Sequence, residues 1–130
     1  MLNVRFQAAL LLLSVALVGC GRIEKSDVIG RYVANHGHGV ETLELLPNGE
    51  YILTYNGQET PSFENRSVWE FEYTDRGTPR ITFAKYIFGY RDEPFVSRGP
   101  GYWSVRPTRT VFGGIGLVIN SDLGYYFYKE

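Results

Sequence analysis

The sequence predicts an all-β domain, a small antiparallel barrel or two-sheet sandwich of about eight strands, preceded by an apolar N-terminal helix. Three observations predict it. Trp, Tyr and Phe total 20 of 130 residues, and all but Phe6 lie beyond residue 20; aromatic and β-branched side chains fit pleated, half-buried surfaces. No stretch beyond residue 20 repeats apolar residues at i, i+3, i+4 and i+7 over three turns. Short runs of alternating apolar and polar residues recur instead, separated by Gly, Pro, Asn and Asp.

The first strand signal covers residues 29–36, around Gly30-Arg31-Tyr32-Val33. The second covers 40–46 and the third 50–56. Between these two, Pro47-Asn48-Gly49 offers an Asn-Gly pair for the positive φ angles of a tight hairpin. Residues 67–74 alternate cleanly, with Trp69, Phe71 and Tyr73 on one face and Glu70 and Glu72 on the other. Trp69 is therefore expected in the core with Phe71 and Tyr73. Asp75-Arg76-Gly77-Thr78-Pro79 turns that strand into 80–88. Signals at 101–106, 115–120 and 124–129 complete the set, the last two joined by a turn over 120–124. Two connections, 57–66 and 89–100, are longer than a hairpin needs. A barrel leaves no exposed edge, which suits a small domain without a disulfide. Gly30-Arg31-Tyr32 followed by hairpins loosely resembles the opening of lipocalin-like domains, whose first strand carries Gly-x-Trp. That resemblance supports a barrel and is silent on any ligand.

Ahead of the domain, Arg5 and the apolar run 6–18 have the form of a signal peptide. Residues 6–19 number 14, short of the roughly 20 needed to span a bilayer. The run Leu17-Val18-Gly19-Cys20 resembles the lipobox of bacterial lipoproteins: Leu three positions before the cysteine, a small residue just before it, then Cys. The resemblance implies cleavage after Gly19, a diacylglyceryl thioether on the Cys20 sulfur and usually an acyl chain on the new N-terminus. Two or more chains hold a protein stably on its membrane. Gly21 rather than Asp follows, which in Gram-negative lipoproteins favours the outer membrane, facing the periplasm. The expected organisation is a signal helix over 1–19, a lipidated Cys20 and polar tether over 20–28, and one β-barrel-like domain over 29–130.

Cys20 is the only cysteine, so lipidation leaves none for a disulfide. Arg5 is the one charged residue before it; the rest of the chain carries 12 basic and 14 acidic residues without a block of like charge. That argues against nucleic acid or an anionic surface as partner.

Few residues point to chemistry. His36 and His38, two apart, could face one metal ion with Glu41 adding an oxygen, yet a zinc site needs three or four protein ligands. The flanking glycines make a solvated hairpin tip the competing reading, and no metal or other cofactor is expected. Glu70 and Glu72 look like a solvent-facing strand edge rather than an acid/base pair. Gly113-Gly114-Ile115-Gly116 lacks the Lys-Ser/Thr of a phosphate loop and leads into a strand. No activated nucleophile is apparent. The chain thus reads as a non-enzymatic protein.

Two functions remain open. One is an interaction module of the bacterial envelope, of accessory, inhibitor or immunity type, bound to the membrane through Cys20. The other is a lipocalin-like binder of a small apolar ligand, which an interior filled by aromatic rings would disfavour. For the first, Tyr90, Arg91, Phe95 and Arg98 in the connection 89–100 are the candidate binding residues, since Tyr and Arg supply contact area and forked hydrogen bonds.

Overall fold

The computed structural model describes residues 21–37, 39–58, 61–87, 101–121 and 124–130. Nine antiparallel strands follow a short helix α1 (Lys25–Val28): β1 (Gly30–Asn35), β2 (Gly39–Leu45), β3 (Glu50–Gly57), β4 (Phe63–Tyr73), β5 (Pro79–Tyr86), β6 (Gly101–Val105), β7 (Pro107–Arg109), β8 (Ile115–Asn120) and β9 (Tyr125–Lys129). They form one sheet in the order β6-β5-β4-β3-β2-β1-β9-β8-β7. Chain neighbours other than β6 and β7 are sheet neighbours, and β9 returns to pair with β1 through Tyr32↔Lys129 and Val33↔Tyr128. Only Arg106 separates β6 from β7, the two ends of that order. One bent stretch of chain therefore pairs with β5 on one side and β8 on the other. The result is a nearly closed meander barrel. Among the described residues, no helix is long and apolar enough to cross a membrane.

Period-two alternation builds the interior. Leu43 and Leu45 of β2, Tyr51, Leu53 and Tyr55 of β3, Ile81 and Phe83 of β5, and Leu117 and Phe127 of the last hairpin are all buried. Each such side chain contributes about 1.5–3 kcal/mol of burial. Trp69 joins them at 2% exposure, its indole N–H donating to Leu46 O at 3.1 Å. Phe71 and Tyr73 share its face and are half-buried, while Glu70 and Glu72 point to solvent, where Glu72 pairs with Arg80.

At one end α1 plugs the barrel. Val28 is fully buried and Ile23 nearly so. Tyr32 donates to Val28 O at 2.6 Å, and the Tyr73 hydroxyl lies 2.9 Å from Ile23 O. Lys129 Nζ donates to Asp27 O at 2.7 Å. Gly30 has a φ of 139°, which favours glycine two residues before Tyr32, and the Lys129 stem crosses it so closely that a Cβ there would stand 2.7 Å from Lys129 Cε. The stretch expected to be a tether is thus part of the fold from Ile23 onward, because its apolar residues close the barrel.

Three hairpins turn at this same end with one backbone design. In each, the first residue accepts from a glycine three positions on and donates to the residue four positions on: Leu46/Gly49/Glu50, Thr74/Gly77/Thr78 and Thr110/Gly113/Gly114. The glycines have φ of 87°, 74° and 82°, the left-handed position that closes a three-residue hairpin. Asn48 does not share that conformation, contrary to a two-residue Asn-Gly turn. Its side chain instead accepts from Glu50 N at 3.0 Å.

Two strand assignments differ from the pattern reading. β4 starts at Phe63, inside the predicted connection 57–66, because Glu64 and Arg66 cover an outward face and ion-pair with each other while Asn65 hydrogen-bonds to β5. β7 is an added strand of three residues, too short and too Pro-marked to give a periodic signal.

Candidate functional site

The end opposite α1 carries the connections between β1 and β2, β3 and β4, β5 and β6, and β8 and β9, that between β5 and β6 being the longest of the sheet. Inward residues of the strand ends converge there. His36 follows β1, Tyr55 lies near the end of β3, Phe63 begins β4, Tyr86 ends β5, Trp103 lies in β6 and Tyr125 begins β9. The His36 ring stacks on Tyr55 at 6.1 Å and meets Tyr125 edge-on at 5.1 Å. Tyr55 contacts Phe63 at 5.4 Å, and Tyr86 contacts Trp103 at 4.9 Å.

Within this ring lies Glu41, fully buried. It stands opposite Ala34 on β1 and Tyr55 on β3. Both His36 ring nitrogens, Glu41 Oε2 and the Tyr86 and Tyr125 hydroxyls are removed from solvent, and each of these residues is engaged with neighbours. A carboxylate inside a barrel costs free energy unless donors surround it. Burial, and then the charge of Glu41, push the Tyr86 phenol well above its ordinary range. Deeper in, burial raises Tyr51 to about 12, partly offset by its bond with Asn65.

A β-bulge aims Tyr86 into this site. The β5–β6 register shifts between Phe83 and Tyr86, and Lys85 takes a left-handed φ of 52°. Strict alternation after Ile81 and Phe83 would point Lys85 inward; the extra residue sends it to solvent and turns Tyr86 in. Tyr51 donates to Ala84 O at 2.7 Å and Asn65 donates to Lys85 O at 2.8 Å, so the carbonyls freed by the bulge are satisfied.

Among the residues singled out from the sequence, His36 and Glu41 belong to this cluster. His38, Cys20, Tyr90, Arg91, Phe95 and Arg98 lie outside the described residues. The strands bounding 89–100 end at the mouth, at Tyr86 and Gly101. Among the described residues, no group of three or more His, Cys, Asp or Glu is placed to hold a metal ion. The pattern of the sequence does not mark Tyr55 or Tyr86, and it offers Glu41 only as an oxygen ligand. Glu41 has the inward parity of Leu43 and Leu45, and that signal was available in the sequence.

A second feature lies on the outer wall. Val111 and Phe112, at the tip of the β7–β8 hairpin, are 97% and 100% exposed. An open groove of about 450 Å³ runs from this tip along β8 and β9, past Gly116, Val118, Tyr126 and Tyr128. No protein-family model, curated protein or solved structure matches the chain.

Proposed function

We propose that this protein is a lipid-anchored, non-enzymatic interaction module of the bacterial envelope, held by Cys20 and offering its mouth end to a protein partner. The observation carrying this reading is the polarity of the barrel. Ile23, three positions after Cys20, is already packed in the core, so the anchored end is the α1 end and the mouth faces away. Rings also occupy the interior: Tyr32, Tyr51, Tyr55, Phe83, Tyr86 and Phe127 are its largest fully buried side chains. A barrel of this size is just wide enough for side chains or one small ligand, which favours a surface function over a lipocalin-like one.

Site-specific photo-crosslinking in cells tests the proposal. Crosslinkers at the mouth positions Gly57 and Tyr102 should trap one discrete protein, while the wall position Val68 should trap none. Failure of every mouth position, with a small apolar molecule copurifying in native mass spectra, would replace the module by the ligand binder.

A further inference from the structure

The three hairpins at the α1 end share one backbone design but not one chemistry. Their central pairs are Pro47-Asn48, Asp75-Arg76 and Val111-Phe112. Turn positions favour Asn, Asp, Ser, Gly and Pro for local hydrogen bonding and φ, and the first two hairpins conform. The third meets its φ requirement with Gly113, so the turn itself does not call for Val111 and Phe112. Folding does not use them either, since both are almost wholly in solvent.

Their position supplies a reason. Arg109 Nη2 lies 3.4 Å from Asp27 Oδ2 while its Nη1 donates to Gly113 O at 3.3 Å, tying the hairpin directly to α1. Between Cys20 and the buried Ile23 stand only Gly21 and Arg22, and three peptide steps reach at most about 10 Å. A lipid on Cys20 therefore holds this end of the barrel at the headgroups, with the Val111-Phe112 tip beside it. We infer that the β7–β8 hairpin tip inserts Phe112 and Val111 into the bilayer interface as a second, non-covalent foot that fixes how the barrel stands. The inference rests on the lipidation of Cys20. An aromatic ring and a β-branched side chain suit the boundary between headgroups and acyl chains. The neighbouring turns, carrying Asn48, Asp75 and Arg76, suit the aqueous side of that boundary.

The test uses the full-length protein, processed in bacteria and reconstituted into phosphatidylcholine vesicles with acyl chains brominated near the ester. Phe112→Trp places a reporter at the tip and Tyr102→Trp places one at the mouth, both at exposed positions; the native Trp69 and Trp103 set the wild-type background. Trp emission from the tip variant should fall about two-fold beyond wild type, as for a ring about 5–10 Å inside the headgroup boundary, with no extra fall for the mouth variant. Vesicle-bound, lipidated protein with an unquenched tip overturns the inference while leaving the anchor intact, and assigns Val111 and Phe112 to a protein partner. Equal quenching at both positions overturns it too, since the barrel then lies on its side. A mass spectrum showing unmodified Cys20 removes both the anchor reading and this inference.

Discussion

The two ends of the barrel solve the closure of a small β-domain in opposite ways. At the α1 end, three matching tight turns and a helical plug bury apolar side chains, and the remaining backbone groups are met locally by Tyr32, Trp69, Tyr73 and Lys129. At the mouth, strand ends converge on Glu41, His36 and three tyrosines. Polar interiors cost stability unless fully satisfied, whereas apolar plugs add to it. The difference teaches where stability and specialisation sit: the α1 end holds the fold, and the mouth carries groups the fold does not require.

The largest effect should come from the sealed end. Trp69→Ala removes a ring 2% exposed and should cost about 3–5 kcal/mol. Trp103→Ala, at the half-buried mouth ring, should cost about 1–2 kcal/mol. Urea denaturation of both variants measures the gap; equal losses would break the contrast between the ends.

That contrast was partly legible in the sequence. Strands show wherever inward residues are apolar and outward ones polar, as in 67–74, and turns show wherever glycine must take a left-handed φ, as at Gly77. The mouth was harder because its inward residues are themselves polar. Glu41 sits on the face of Leu43 and Leu45, yet a carboxylate reads as solvent-facing until its parity is followed. The Lys85 bulge shifts parity by one residue, and only its pairing with β6 reveals that Tyr86 points in. Residues 21–28 misled in the other direction: charged residues surround the two, Ile23 and Val28, that close the barrel.

High pH should expose the tyrosines at both ends. Burial raises Tyr32 and Tyr86 well above the ordinary phenol value of 10.0. Below pH 10 both folded and unfolded chains keep these protons, so stability is intact. As pH rises further, the unfolded chain loses them first and stability falls, by about 1.4 kcal/mol per pH unit for each such tyrosine. Phenolate absorbance should therefore show a late group of tyrosines ionising together with unfolding. Glu41→Gln should move the Tyr86 member of that group to lower pH and leave Tyr32 in place. Ionisation of all tyrosines near pH 10 in the folded protein would contradict the packing at both ends.

Glycine substitutions compare the ends at smaller scale. At the mouth, a Cβ on Gly39 would stand 2.6 Å from Asn56 O and 2.8 Å from a Tyr55 ring carbon, so Gly39→Ala should cost about 1–3 kcal/mol by overpacking. At the other end, nothing lies within 4 Å of a Cβ on Gly77 or Gly113. Alanine there meets only the left-handed backbone, about 1–2 kcal/mol, and the two costs should match because the turns match. Thermal melts of the three variants decide this. Unequal losses at Gly77 and Gly113 would mean that the shared turn design is not what sets them.

The smallest effect should be a gain. Lys85 is the one non-glycine residue with positive φ among those described, a conformation costing about 1–2 kcal/mol for a side chain with a Cβ. Lys85→Gly relieves that cost and adds about 0.5–1 kcal/mol of unfolded-chain entropy, leaving a net stabilisation of roughly 0.5 kcal/mol. Lys85→Val should destabilise, because β-branching makes the left-handed region worse. The exposed lysine side chain contributes little either way, so the pair of variants isolates the backbone. If both are neutral, the bulge relaxes freely and does not fix Tyr86 in the mouth. If glycine stabilises and valine destabilises, the strain is real and is held in place by the Tyr51 and Asn65 bonds to Ala84 O and Lys85 O. Asn65→Ala should then bring the Lys85→Gly gain down toward zero, as expected when strain and its restraint are coupled.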